Sequence, residues 1–218
     1  MNAGKLGRIG GALLAVGLVG CMALAPAAQA GKKAKKSKKV TKTWTKGVGG
    51  SLGGLATTIP DGGGQATQVV RSAIPVKGLN PRGKIVDVNV GVRATHQQAA
   101  DLEFYLATPR GVINLSSDNG GNGNNYGSGP ASCVGQFTLF DSDNPTLIST
   151  PGLNAPFAGS FAPEESLDQL AGLGNKKATN ATWTLLAEDD SNANPAGTLD
   201  CFKLTITSTS PKKKKKKK

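Results

Sequence analysis

His96 is the one imidazole in the chain, and an imidazole is the commonest general base near neutral pH. A base needs a nucleophile to act on and a third group to orient it. No Gly-Thr-Ser segment occurs, and no Gly-x-Ser-x-Gly elbow joining a strand to a helix is read in the chain. His96 is therefore expected to be structural, and no catalytic residue is expected. Carboxylates are the richer resource. Asp141-Ser-Asp143-Asn144 and Glu188-Asp189-Asp190-Ser-Asn192 set hard oxygen donors at alternate positions, the ligand chemistry that Ca²⁺ prefers. Asp118 and Asp101 could add donors from two other segments, so the candidate Ca²⁺ ligands are Asp101, Asp118, Asp141, Asp143, Asp189 and Asp190. The plainer alternative is that Asp and Asn here simply form turns. A zinc site is not expected from one His and widely separated cysteines.

Cysteine usage points to an oxidising compartment. Lys5 and Arg8 precede an apolar stretch from Ile9 to Leu24, and Ala28-Gln29-Ala30 is a small-x-small cleavage site, so residues 1–30 read as a secretory signal peptide. Leu18-Val19-Gly20-Cys21 also matches a bacterial lipobox, which would make Cys21 a lipid anchor and the product a membrane-anchored lipoprotein rather than a secreted protein. The stretch stays apolar after Cys21, which favours simple cleavage. Cys133 and Cys201 then remain as an even pair. A bridge between them closes a loop of 201 − 133 = 68 residues, a constraint worth about 4 kcal/mol; two buried thiols are the alternative.

Charge is distributed unevenly. Residues 31–46 hold eight Lys and no acid, and residues 212–218 are seven consecutive Lys. Between them, residues 47–211 carry nine cations and all fourteen acids, a net 9 − 14 = −5. The basic flanks suit anionic cell-envelope polymers or lipids. No base-reading module accompanies them, so sequence-specific nucleic-acid binding is not expected. By composition, residues 31–57 read as a basic, Gly-rich disordered linker and residues 208–218 as a lysine-rich disordered tail.

The elements that must position these groups are strands. Val86, Val88, Val90 and Val92 alternate with Asp87, Asn89, Gly91 and Arg93, a period of two with one face buried. Leu102, Phe104 and Leu106 repeat the pattern, and Thr108-Pro-Arg-Gly111 turns the chain into Val112–Leu115 as a hairpin. Further strands are expected at 68–76, 136–140, 183–187 and 197–206, with an extended segment at 156–163. Glu164–Leu170 is the one expected helix, about two turns long and acidic at its start. The fold class is all-β, a β-sandwich.

Four landmarks follow in order: Ile59-Pro60-Asp61; Thr95-His96 with Asp101-Leu102 and Pro109-Arg-Gly111; Phe157-Ala-Gly-Ser-Phe-Ala-Pro163; and Asn180-Ala-Thr-Trp183-Thr-Leu185 with Gly197-Thr-Leu199. Together they resemble the P domain (P/Homo B domain) of kexin- and furin-like subtilisin proprotein convertases, over residues 58–207. The resemblance implies a jelly-roll β-sandwich of the galactose-binding-domain-like kind. It also implies a non-catalytic module that packs on and stabilises a subtilisin-like serine endopeptidase, here one on another chain. Phe202 stands where the family usually has Trp. Two other functions fit the residues: an envelope-binding protein acting through its lysine tails, and a Ca²⁺-stabilised glycan-binding module.

Overall fold

The structure is a computed structural model and describes residues 37–62 and 68–210. The expected signal peptide with Cys21, residues 31–36 and residues 211–218 lie outside the described residues. Ten strands alternate with turns: β1 Lys38–Gly47, β2 Thr57–Ile59, β3 Val70–Pro75, β4 Ile85–Thr95, β5 Leu102–Thr108, β6 Gly111–Ser116, β7 Thr138–Phe140, β8 Gly159–Phe161, β9 Thr182–Asp189 and β10 Gly197–Ser210. One sheet has the order β1-β10-β4-β7-β8, with β2 also pairing with β10. The second has the order β3-β9-β5-β6. All pairs are antiparallel except β7 with β8. The fold is an all-β sandwich, compatible with a jelly roll.

Alternating side chains of both inner faces make the core. Val88, Val90 and Val92 of β4, Leu102, Phe104 and Leu106 of β5, Trp183, Leu185 and Ala187 of β9, and Phe202, Leu204 and Ile206 of β10 are buried. Phe104, Tyr126 and Phe157 stack edgewise, at centroid distances of 4.7 and 5.1 Å. Phe202 is fully buried. The register between β10 and β4 shifts at Thr207/Ser208, which moves Ile85 into the core while Val86 is only half-buried. An extra residue in one strand reverses the phase of the alternation beyond it.

The basic segment departs most from expectation. Lys38–Gly47 is not a linker but an edge strand paired with β10 over its whole length. Val40, Lys42, Trp44 and Lys46 face inward, while Thr41 and Thr43 face out and bond Thr207 and Thr205 across the strands. β-Branched Thr and Val at every second position favour a strand, and long Lys stems can cover apolar surface while their ammonium groups reach water. Lys46 reaches the Ala73 carbonyl on β3 across the open edge of the sandwich. Thr57–Ile59 is likewise a strand, and Ser208–Ser210 belong to β10 rather than to a tail.

The expected helix at Glu164–Leu170 is also absent. Only Leu167–Leu170 turns, as a short 3₁₀ segment capped by Ser166. Its Leu167 and Leu170 are buried, so two apolar anchors close together decide the outcome over helix propensity. The α-helix is instead α1, Asn175–Thr179. It supplies the Ala178 carbonyl that accepts the bond from the buried Trp183 indole, at 3.1 Å.

Candidate functional site at the acidic end of the sandwich

β4 and β9 finish, and β5 and β10 begin, at the same end of the sandwich. The register aligns Thr198 with Thr95, Leu102 with Asp189 and Glu103 with Glu188, and Ile59 lies beside Gly197. Parts of three of the sequence landmarks therefore meet here, Ile59-Pro60-Asp61, Thr95-His96 with Asp101-Leu102, and Gly197-Thr-Leu199, while Pro109-Arg-Gly111 and Asn180-Ala-Thr182 lie at the other end.

The inner part of this end is built on His96. Its side chain is buried, with Nε2 donating to Asp189 Oδ2 at 3.0 Å. Nδ1 lies 2.6 Å from the Gln98 carbonyl and 3.1 Å from the Gln98 amide. Asp101, also buried, accepts from Gln98 Nε2 at 3.0 Å and from Asn194 Nδ2 at 2.8 Å. Burial raises the Asp189 carboxyl above its ordinary range, and bonds from the Ser191 amide and His96 pull the other way. Both imidazole nitrogens thus have partners within the protein. Gly197 packs so closely on His96 that a Cβ there would stand 2.7 Å from the ring. One Gly-x-Ser-x-Gly spacing does occur, Gly49-Gly-Ser-Leu-Gly53. It forms a turn after β1, where the Ser51 hydroxyl bonds Thr45. It is not the strained elbow that exposes a nucleophile.

The outer part is a carboxylate cluster. Glu103 and Glu188 are directly opposite on the outward face of β5 and β9, a like-charge pairing that is unfavourable when both ionise. Burial would raise Glu103, but bonds from Tyr105, Glu188 and Ser117 outweigh it and hold the carboxyl below its usual range. Burial, the bond to Glu103 and repulsion from Glu103 and Asp190 push Glu188 up to about 7. Asp118 and Asp190 complete the cluster, with carboxylate oxygens of Glu103, Asp118 and Asp190 all within 4.8 Å of one another. Asp190 is raised by burial and by repulsion from Asp118 and Glu103. Asp118 takes a left-handed φ of 57°, a conformation Asp tolerates better than most residues.

The six Asp residues named as candidate Ca²⁺ ligands fall into three separate groups. Asp101 and Asp189 join His96 inside, Asp118 and Asp190 join Glu103 outside, and Asp141 and Asp143 sit beside Asp87, whose carboxyl is raised by burial and by their charge. Turn formation accounts for the last two: Asp141 Oδ1 accepts from the Asp143 amide and its carbonyl from the Asn144 amide. Glu103 was not expected in the site. Its outward position on a strand was readable, but the pairing of β5 with β9 was not.

A second element stiffens the opposite flank of this end. Cys133 and Cys201 form a disulfide with a Cα–Cα separation of 5.1 Å, as the even pair suggested. Arg93, the cross-strand neighbour of Cys201, is buried beneath the same loop. Its guanidinium donates to the carbonyls of Ser128, Pro130 and Val134. Gly135 has φ +112°, and any Cβ there would collide with that guanidinium.

No known family profile matches the chain, and no curated protein matches it in sequence. Among solved structures it is similar to a chain of the Aeromonas sobria serine protease (ASP) and chaperone (ORF2) complex, at 20% identity and a TM-score of 0.38, over 80% of this chain and 28% of that one. It is similar also to the serine protease of Aeromonas sobria, at 16% identity and a TM-score of 0.36, over 81% and 28%. The chain thus spans about a quarter of the length of either, and a likeness of this degree bears no weight for function.

Proposed function

We propose that this protein is a secreted, non-catalytic P/Homo B-type module that binds and stabilises a subtilisin-like serine endopeptidase carried on another chain, and so takes part in proteolysis only through that partner. The observation that carries the non-catalytic half is His96, buried and bonded through both ring nitrogens. The family half rests on the ordered landmarks in the sequence. Purified protein incubated with peptide substrates should give no hydrolysis above buffer. Cleavage that a serine-directed inhibitor abolishes would refute it.

A second reading is that Ca²⁺ stabilises the same end through Glu103, Asp118 and Asp190, which hold mutually close oxygens beside a Glu188 whose carboxyl is raised. A ligand of the native state raises the melting temperature by mass action. Millimolar Ca²⁺ should therefore raise it, and Asp190→Asn should cancel the rise. No shift with the parent protein excludes the ion.

A further inference from the structure

The end of the sandwich opposite the carboxylates is strongly basic. β1 begins, β10 ends, β3 passes into Lys77, the Asn80–Gly83 turn enters β4, Arg110 sits in the β5–β6 turn, and α1 leads into β9, all at this end. Lys38, Lys39, Lys77, Arg82, Lys84, Arg110, Lys176 and Lys177 are all exposed there. That is eight of the thirteen cations among the described residues. The pairing of Lys38 with Ser210 brings the first and last strands of the described fold together at this end. The acids nearest this end, Asp87, Asp141, Asp143 and Asp168, gather to one side around the Leu167–Leu170 turn.

We propose that this basic end docks on a bilayer containing anionic phospholipid and turns the carboxylate end away from it. A flat, many-pointed surface fits better than a nucleic-acid strand. The cations come from strand ends and turns spread over the end of the sandwich rather than along a groove, and no aromatic side chain is exposed among the described residues to stack a base. Amid the ring of charge lies a recess of about 300 Å³ lined by Val40, Leu79, Asn80, Ser208 and Ser210, with the Lys42 ammonium beside it against Gly78. Ser208, buried at 2% exposure, forms the floor of that recess. Like charge at the far end disfavours the inverted approach, so the molecule's own dipole sets the orientation. The inference is independent of any protease partner.

The test uses the full chain and sedimentation with phosphatidylcholine vesicles, with and without a quarter of phosphatidylglycerol, at low and high salt. Each Lys or Arg at an anionic leaflet changes partition about fivefold. The variant R82Q/K84Q/K176Q/K177Q, which leaves both flanks intact, should lose roughly six hundredfold in partition at unchanged melting temperature. Removing residues 211–218 should weaken binding but leave it above that to neutral vesicles. Parent-like binding by the fourfold variant would overturn the proposal and leave the flanks alone responsible. So would equal binding to neutral vesicles, or tighter retention on duplex DNA than on the anionic vesicles at matched salt.

Discussion

Replacing both Cys133 and Cys201 by Ser should cost about as much stability as any change in this protein. The bridge closes a loop of 68 residues, for which the chain-entropy relation gives about 15 cal/mol/K, or about 4 kcal/mol at 25 °C. The native side of the balance should change little. Arg93 still binds the Ser128, Pro130 and Val134 carbonyls, and the Cys133 amide position still bonds the Val48 carbonyl at 2.7 Å, so the loop stays in place without the sulfur link. The loss therefore arises in the unfolded chain, which gains freedom. Urea unfolding followed by the fluorescence of the buried Trp183 reports it. With a slope of about 2 kcal/mol/M the midpoint should fall by about 2 M, and dithiothreitol should do the same to the parent but nothing to the double variant. A midpoint within about 0.3 M of the parent, at equal slope, would refute the reasoning.

Other consequences follow from buried polar groups. Arg93→Met leaves three loop carbonyls without their donor and should cost about 2–4 kcal/mol, with proteolytic nicking appearing between residues 128 and 135. His96→Ala strips Asp189 of its partner inside the protein and should cost about 3 kcal/mol, read as a lower melting temperature; a gain in stability would contradict the buried pair. Trp183→Phe removes the bond to Ala178 at 3.1 Å and should cost about 1–2 kcal/mol, visible in urea melts. The Glu103–Glu188 pair gives a pH dependence. The Glu188 carboxyl is raised to about 7 in the folded protein, so its protonated form is favoured by folding. The stability it contributes is fully present below its unfolded value, near 4.5, and is lost as pH rises through about 7. Glu188→Gln should flatten the melting temperature between those limits, and an unchanged slope would contradict the raised carboxyl.

Much of the fold was legible because one-sided strands write a period of two into the chain. The hairpin Leu102–Ser116, the Asn80–Gly83 turn and β9 stand where alternation and turn residues put them. β1 was obscured by composition: eight lysines concealed the alternation of Val40, Lys42, Trp44 and Lys46 against threonines, because a lysine can line an open sandwich edge as an apolar side chain does. The Glu164–Leu170 segment misled in the opposite sense, since helix-like acids at its start said nothing of the pockets awaiting Leu167 and Leu170. The candidate site was half legible. Asp118, Asp189 and Asp190 stood out as carboxylates, but their division between a buried imidazole and an exposed Glu pair depends on which strands neighbour one another. That is a long-range property, and local pattern does not carry it.

Under the proposed function this chain serves a protease without being one. Its most direct test is the half-life at elevated temperature of a subtilisin-like endopeptidase deprived of its own C-terminal module, with and without an equimolar amount of this protein. A half-life lengthened several-fold, lost again with a charge-reversing Glu103→Lys/Asp190→Lys variant that itself stays folded, is the predicted result. An unchanged half-life, with no complex by size-exclusion chromatography, would contradict it.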